Sequence, residues 1–403
     1  MDVAIDTELT RALLGAARSK APSQGFTHTF YRYPGRFSPE FARAAIKLFS
    51  KPGDVILDPF MGSGTTLVEA LIAGRHSIGS DISSLANFVT RVKTSILEQS
   101  VLDEIQEWYK TAQANLNIWR PAVRQQAWVN RGYQKYLPWR IRKLIELVLD
   151  EVFRLTRQEQ RNFVRCALLR TAQWALDCTK TFPSASEFRS KFGQTLQGQI
   201  DGVTHLREAV ERLPHKERPC VLSFNTSALK LYSEYWSGQI NKKPTLIVTS
   251  PPYPNVRVLY HRWQIKGRRQ TPAPFWIAGQ MDGHGEKFYT MGGRSLKGVN
   301  DYFKTIEESY AHIHSLLEEG AIVIQLVAFS DAEQQLPRYL KAMNNAGYAE
   351  IEVGGEGEGL DGRVWRQVPL RKWYASLKGN LPSSREFLLI HKKFGRLSKP
   401  PVG

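Results

Sequence analysis

Residues 55–81 constrain the fold of this chain more than any other stretch. Val55-Ile56-Leu57 is a short apolar run rich in β-branched residues and reads as a buried strand. It runs into Asp58-Pro59-Phe60-Met61-Gly62-Ser63-Gly64-Thr65-Thr66. Leu67, Val68, Ala70, Leu71 and Ile72 then supply the apolar side of a helix, which Gly74 ends. His76 to Ser80 reads as the next strand, and Asp81 closes it. Strand, glycine turn, helix, strand and acid follow in that order, with the acid about 20 residues past the glycines. That is the layout of a mononucleotide-binding βαβ unit.

Each group in the unit has its own chemistry. Gly62 and Gly64 permit positive φ and close approach of a ligand to the backbone. Thr65 and Thr66 open a helix, where unpaired N–H groups and the dipole favour a carboxylate or phosphate. Asp58 suits a cationic amine, and Asp81 can accept from both hydroxyls of a ribose. No Lys follows the second glycine, so the stretch is not a phosphate-binding P-loop. A ligand with an amine, a carboxylate and a ribose fits better than a nucleoside triphosphate, and S-adenosylmethionine has all three. A purely structural glycine turn is the alternative.

A second motif lies far downstream. Pro244 to Val248 reads as a buried strand, and Thr249-Ser250-Pro251-Pro252-Tyr253 ends it, since neither proline can donate to a sheet ladder. In open α/β sheets, ligands sit at this edge. Ser250 offers a hydroxyl, the prolines offer fixed carbonyls and Tyr253 offers a flat ring; together they suit a planar, amine-bearing ring. A plain strand-ending turn is the competing reading. Val221 to Phe224 reads as another strand, and Asn225 and Thr226 follow it where an adenine-reading loop belongs.

The 403 residues suffice for two or three domains, or one large domain with an insertion. Apolar content is 42% and aromatic content 11%, which argues against general disorder. There is no run of 18 apolar residues for a transmembrane helix, and Met1 to Asp6 lack a secretory pattern. Cys166, Cys178 and Cys220 have neither metal-binding nor disulfide spacing; Cys166 and Cys178 fall in a helical pattern as packing residues, and a reducing cytoplasm is the expected setting. The net charge of +17 points to a polyanionic partner, nucleic acid first and a membrane surface second, against a merely basic soluble enzyme. Residues 96–215 read as mostly helical, with Ile141, Leu144, Ile145 and Val148 at helical spacing and many arginines between aromatics. They form either a surface for a nucleic-acid backbone or a solvated helical lid with Arg–Glu pairs. Trp119 and Trp139 are expected in the core. Residues 266–297 read as a long, irregular, basic loop with a functional role. Helices are expected at 300–317 and 336–346, strands at 321–327, 349–353 and 385–391, and an acidic turn at 354–362.

The two motifs together, with Tyr33-Pro34-Gly35-Arg36-Phe37 ahead of them, resemble the amino-group DNA methyltransferases. The resemblance spans about residues 27–95 and 220–395 and leaves out the helical middle. It implies an α/β fold: a Rossmann-like, seven-stranded S-adenosylmethionine-dependent methyltransferase sheet whose last strand is antiparallel, here with a large helical insertion. It implies a cofactor site lined by Phe37, Asp58, Phe60, Gly62, Gly64, Thr65, Thr66, Asp81 and Asn225. It also implies that Ser250, Pro251, Pro252 and Tyr253 receive a base flipped from double-stranded DNA. Ser at the first motif position, rather than Asp or Asn, resembles the cytosine-N4 branch more than the adenine-N6 branch. Two departures stand out. The glycine motif precedes the Ser-Pro-Pro-Tyr motif, whereas many cytosine-N4 enzymes have the reverse order, and Asn225 to Ser227 lack the acid often found in that loop.

The expected organisation is residues 1–95 as the cofactor half, 96–215 as a helical insertion able to contact DNA, and 216–403 as the catalytic half. The chemistry needs no metal and no covalent cysteine. A cognate restriction endonuclease is a partner that the resemblance alone implies. The rival functions are an RNA methyltransferase and a non-catalytic nucleic-acid-binding module on the same fold.

Overall fold

A computed structural model describes residues 7–19, 25–33, 37–122, 126–214, 218–254, 262–266, 269–283, 289–293, 295–351, 365–367 and 385–395. In chain order the elements are α1 (Thr7–Arg18), α2 (Pro39–Phe49), β1 (Val55–Asp58), α3 (Thr65–Ile72), β2 (His76–Ser80) and α4 (Ser84–Thr94). There follow α5 (Gln99–Gln113), α6 (Gln126–Asn130), α7 (Trp139–Val152), α8 (Gln158–Leu176), α9 (Ala185–Glu211), β3 (Val221–Phe224) and β4 (Leu246–Thr249). The rest are β5 (Trp263–Ile265), β6 (Arg269–Thr271), α10 (Ala273–Ala278), α11 (Leu296–Leu316), β7 (Ile322–Ala328), α12 (Ala332–Asn345), β8 (Tyr348–Glu350), β9 (Trp365–Gln367) and β10 (Arg385–Lys393).

The main sheet has the order β3-β2-β1-β4-β7-β10-β8, with β9 paired to the other end of β10. Strands β3, β2, β1, β4 and β7 run parallel, and β10 is antiparallel to β7 and β8. Both β1 and β4 are buried along their whole length, as apolar runs in a sheet covered on both faces should be. The order reverses between β1 and β4, so the C-terminal ends of these two strands flank the crevice where such sheets hold ligands. Apart from β9, this is the seven-stranded order with one antiparallel strand that the resemblance implies.

Local chemistry sets the helices that frame the crevice. Ser38 caps α2 by accepting from the Phe41 amide at 3.3 Å, with Pro39 in the first turn. Ser83 caps α4 in the same way through Ala86. A buried ionic cluster fixes α3 against its neighbours. Glu69 is 1% exposed; it accepts from Arg43 of α2 at 2.8 and 3.0 Å and lies 2.8 Å from His28 Nε2. His28 and Arg43 hold the Glu69 carboxyl below the usual range despite the opposing effect of burial.

The helical segment packs with parts of the chain far from it. Its core joins Leu144, Val148, Val164, Leu168, Phe192 and Val203 to Phe30, Tyr31 and Tyr33 upstream and to Trp263, Ile265, Phe275 and Trp276 downstream. Trp263 Nε1 donates to the Tyr31 hydroxyl at 3.1 Å. Three expectations are corrected here. Within 266–297, the described residues hold strand β6, which pairs with β5, and helix α10, whose six residues are all buried; apolar residues in the stretch, not its charge, decided its structure. Trp119 and Trp139 are 80% and 49% exposed rather than in the core. Cys178 is exposed just after α8, with φ of 59°, and is not a packing residue; Cys166 is buried as expected, and burial pushes its thiol up to about 12. Smaller differences are the starts of α11 and α12 four residues early, a short β8, and strand β9, which the sequence did not suggest. The acidic turn at 354–362 lies outside the described residues.

Glu69→Gln removes the charge that pairs His28 and Arg43. Breaking a buried pair in this way costs about 3–5 kcal/mol, and urea unfolding should record a loss of that size.

Candidate active site

The crevice between β1 and β4 gathers the sequence-marked residues. Asp58 ends β1 and is 1% exposed. Its Oδ1 accepts from the Thr249 hydroxyl at 2.7 Å, across to β4, and from the Phe60 amide at 3.2 Å. Thr66, at the start of α3, donates its hydroxyl to the Val248 carbonyl at 3.0 Å. Helix α3 and strands β1 and β4 are thus stitched together beside the glycine turn.

The turn is shaped by its packing. Gly62 and Gly64 have φ of 49° and 72°, a region that costs other residues strain. A Cβ on Gly64 would sit 2.6 Å from the Thr90 side chain, and one on Gly62 would sit 3.2 Å from the Tyr33 ring. Gly64 is the N-cap of α3, so Thr65 and Thr66 begin the helix with amides at its N-terminus. Asp81, after β2, accepts from the Gly62 amide at 3.1 Å and the Ser83 amide at 2.8 Å, one on each carboxylate oxygen. Each oxygen keeps a further lone pair for a ligand hydroxyl. Asn225, exposed after β3, donates to the Asp81 carbonyl at 2.9 Å, so the suspected adenine-side loop lies beside the acid. Phe60 is half-buried with its ring 6.4 Å from Tyr310, while Phe37 is buried against Phe41.

Burial pushes both carboxyls up to about 6 against the effect of their hydrogen bonds, and for Asp58 the nearby Asp81 adds to the rise. Such a pair favours a cationic ligand, which would hold both acids ionised. The residues present therefore fit a ligand carrying an ammonium or sulfonium group, a carboxylate for the N-terminus of α3 and hydroxyls for Asp81.

The Ser250 corner sits at the end of β4. Ser250 Oγ donates to the Leu326 carbonyl of β7 at 3.0 Å and lies 3.0 Å from the Tyr253 hydroxyl. Tyr253 donates to Glu386 on β10 at 2.8 Å, and its ring is half-buried. Tyr302 of α11 donates to the Pro252 carbonyl at 2.9 Å. Pro251 is buried and Pro252 half-buried. The corner is therefore braced from β7, β10 and α11 at once.

Three bracing residues escaped the sequence reading. Lys93 of α4 is fully buried and donates to the Ser63 carbonyl at 2.6 Å, which pins the glycine turn from below. A signal for it exists: Lys93 follows Val89 at helical spacing on the apolar stripe of α4. Glu386 lies near the start of a mostly buried strand without a local mark, and Tyr302 looks like an ordinary core residue. Pro34, Gly35 and Arg36 lie outside the described residues.

Residues 15–86 match the family model described as DNA methylase, and over that stretch the chain is similar to the amino-group methyltransferases. That likeness implies S-adenosylmethionine as the methyl donor. The Type II methyltransferase M.MjaII of Methanocaldococcus jannaschii is 44% identical over 66 residues, covering 16% of this chain and 12% of that protein. A tRNA (guanine(10)-N2)-dimethyltransferase of Methanothermobacter thermautotrophicus is 49% identical over 51 residues, covering 12% of this chain and 15% of that one. The chain thus spans under one sixth of these relatives. Among solved structures, the rRNA methyltransferase aviRa from Streptomyces viridochromogenes covers 96% of this chain and 93% of its own at 11% identity, with a TM-score of 0.34, too low a likeness to bear on function.

Gly64→Ala meets both the Thr90 contact and the positive φ. We expect a stability loss of about 1–3 kcal/mol, measured by thermal or urea unfolding.

Proposed function

We propose that this chain transfers a methyl group from S-adenosylmethionine to an exocyclic amine of a base flipped out of duplex DNA, with cytosine N4 as the target. The observation that supports it most is the Thr249–Asp58 hydrogen bond at the switch point of the sheet. It sets a cation-seeking carboxylate beside a corner suited to a planar amine.

In this reading Asp58, Asp81, the amides of Thr65 and Thr66, and Asn225 hold the donor, with Phe37 and Phe60 as its apolar walls and Gly62 and Gly64 shaping the turn. When bound, the donor supplies an electrophilic methyl carbon. An exocyclic amine is a weak nucleophile because its lone pair is delocalised into the ring. Ser250 spends its proton on the Leu326 carbonyl, so its lone pairs are left to accept from the amine. With the Pro251 carbonyl as second acceptor, the nitrogen is drawn toward a tetrahedral shape and its lone pair freed for attack. Tyr253 stacks on the base while its hydroxyl is tethered to Glu386. Positioning and electrostatics carry such a transfer.

Ser250 at the head of the corner favours cytosine N4 over adenine N6. A restriction–modification setting, with a cognate endonuclease as partner, accords with the Type II name of the relative. A second reading, methylation of an exocyclic amine in RNA, is favoured by the match to the tRNA enzyme.

The test is methyl transfer from labelled S-adenosylmethionine to unmodified plasmid DNA and, separately, to total RNA, with nucleosides identified by mass spectrometry. N4-methylcytosine in DNA is the expected product. N6-methyladenine would overturn the base assignment, and label confined to RNA would establish the second reading. Tyr253→Ala should lower kcat about 100-fold or more, whereas Tyr253→Phe, which keeps the ring, should lose far less.

A pH dependence follows from the two raised carboxyls. Below about 6 they are largely protonated; above it they are charged and attract the cation. Calorimetric affinity for S-adenosylmethionine should therefore rise from pH 5 to pH 7 and then level off. In the unliganded protein the sign is opposite: a folded pKa raised above the unfolded value makes stability fall between about pH 4 and 6.

A further inference from the structure

The exposed aromatics of the helical segment are unused by the chemistry above. Trp119 is 80% exposed, Trp139 49% and Tyr136 46%. The two tryptophans pack on each other at 6.3 Å with planes tilted by 52°. The Arg140 guanidinium lies 5.4 Å from the Trp139 ring centre, and Lys135 and Arg269 each lie 5.6 Å from that of Tyr136. Tyr136 is held at φ of 65°, which is unusual for a residue with a side chain. Trp139 is three positions further along the chain, a reach of about 11 Å. Residues 114–145 hold seven Lys and Arg and neither Asp nor Glu, so no acid from this stretch offsets the positive charge.

We propose that Trp119, Tyr136 and Trp139, flanked by Lys135, Arg140 and Arg269, form a stacking site for unpaired bases of the DNA substrate. Exposed flat rings, with cations over those of Tyr136 and Trp139, match a nucleobase and its phosphate. Paired bases within a duplex hide their faces in the stack, so an open ring platform discriminates in favour of unpaired ones. This rests on the reading that the chain acts on DNA: extruding a target base leaves its partner unpaired. Arg269 comes from β6, so the site joins the helical segment to a strand from the chain's second half.

The test measures fluorescence polarisation of the full chain with two labelled duplexes of one sequence, one fully paired and one with a central run of unpaired bases. Trp119→Ala/Trp139→Ala should weaken binding to the unpaired probe about five- to hundredfold, with much less effect on the paired probe. The double Phe variant should restore it. Equal affinity of the parent and the Ala variant for the unpaired probe would overturn the proposal. So would an equal loss on both probes, an effect only on an RNA probe, or a change only in oligomeric state by sedimentation. S-adenosylmethionine binding by calorimetry should be the same in parent and variant. A parent that fails to bind the cofactor would sink the enzymatic reading and leave the polarisation comparison readable.

Discussion

A single hydrogen bond between neighbouring strands carries much of this architecture: the Thr249 hydroxyl to Asp58, at 2.7 Å. A carboxylate at the buried end of a strand is costly unless donors satisfy it. Here the donors come from β4 and from the turn after β1, so the two strands share the task of holding one charge. The Thr66 bond to Val248 ties the following helix to the same place. What remains unsatisfied is the electrostatics, since burial leaves the carboxyl with a raised pKa. That residual demand would favour a positive ligand in the crevice. A site that were fully content by itself would have nothing left with which to bind.

The same economy appears around the Ser250 corner. Its polar atoms are directed by groups on β7, β10 and α11, three elements well separated in the sequence. Holding a hydroxyl and a phenol in fixed orientations before a substrate arrives is preorganisation, and it lowers the cost of reorientation at the moment of reaction. Lys93 does the equivalent for the glycine turn: its ammonium grips the Ser63 carbonyl from within α4.

The sheet was legible because parallel strands buried on both faces leave uninterrupted apolar runs, such as Leu246 to Val248. The glycine turn was legible because φ of 49° and 72° leaves few residue choices. Residues acting at long range were not. Glu386 sits in a strand and gives no hint that its partner lies 133 positions earlier. Periodicity alone would also bury Phe153 and Trp174, which lie 55% and 39% exposed. Trp119 and Trp139 were misjudged for another reason, since side-chain type alone predicts burial, and surface rings are exceptions that only geometry reveals. In 266–297 the density of Gly and basic residues masked the apolar spacing of Ala273 to Ala278.

The indole of Trp263 and its neighbour Trp276 have a bearing on how this chain is to be handled as a piece of engineering. Both are 1% exposed, and both are covered by helices of the middle segment, although they belong to its second half. A buried tryptophan is worth about 3–5 kcal/mol when truncated, so stripping its cover forfeits a comparable amount. Cutting out residues 96–215 to obtain a minimal catalytic core would therefore bare two large indoles and the upstream rings of Phe30 and Tyr31. The trimmed chain would be a sticky fragment rather than a smaller stable fold. The middle segment looks like an insertion when read along the chain, but in three dimensions it is a structural wall shared with the rest.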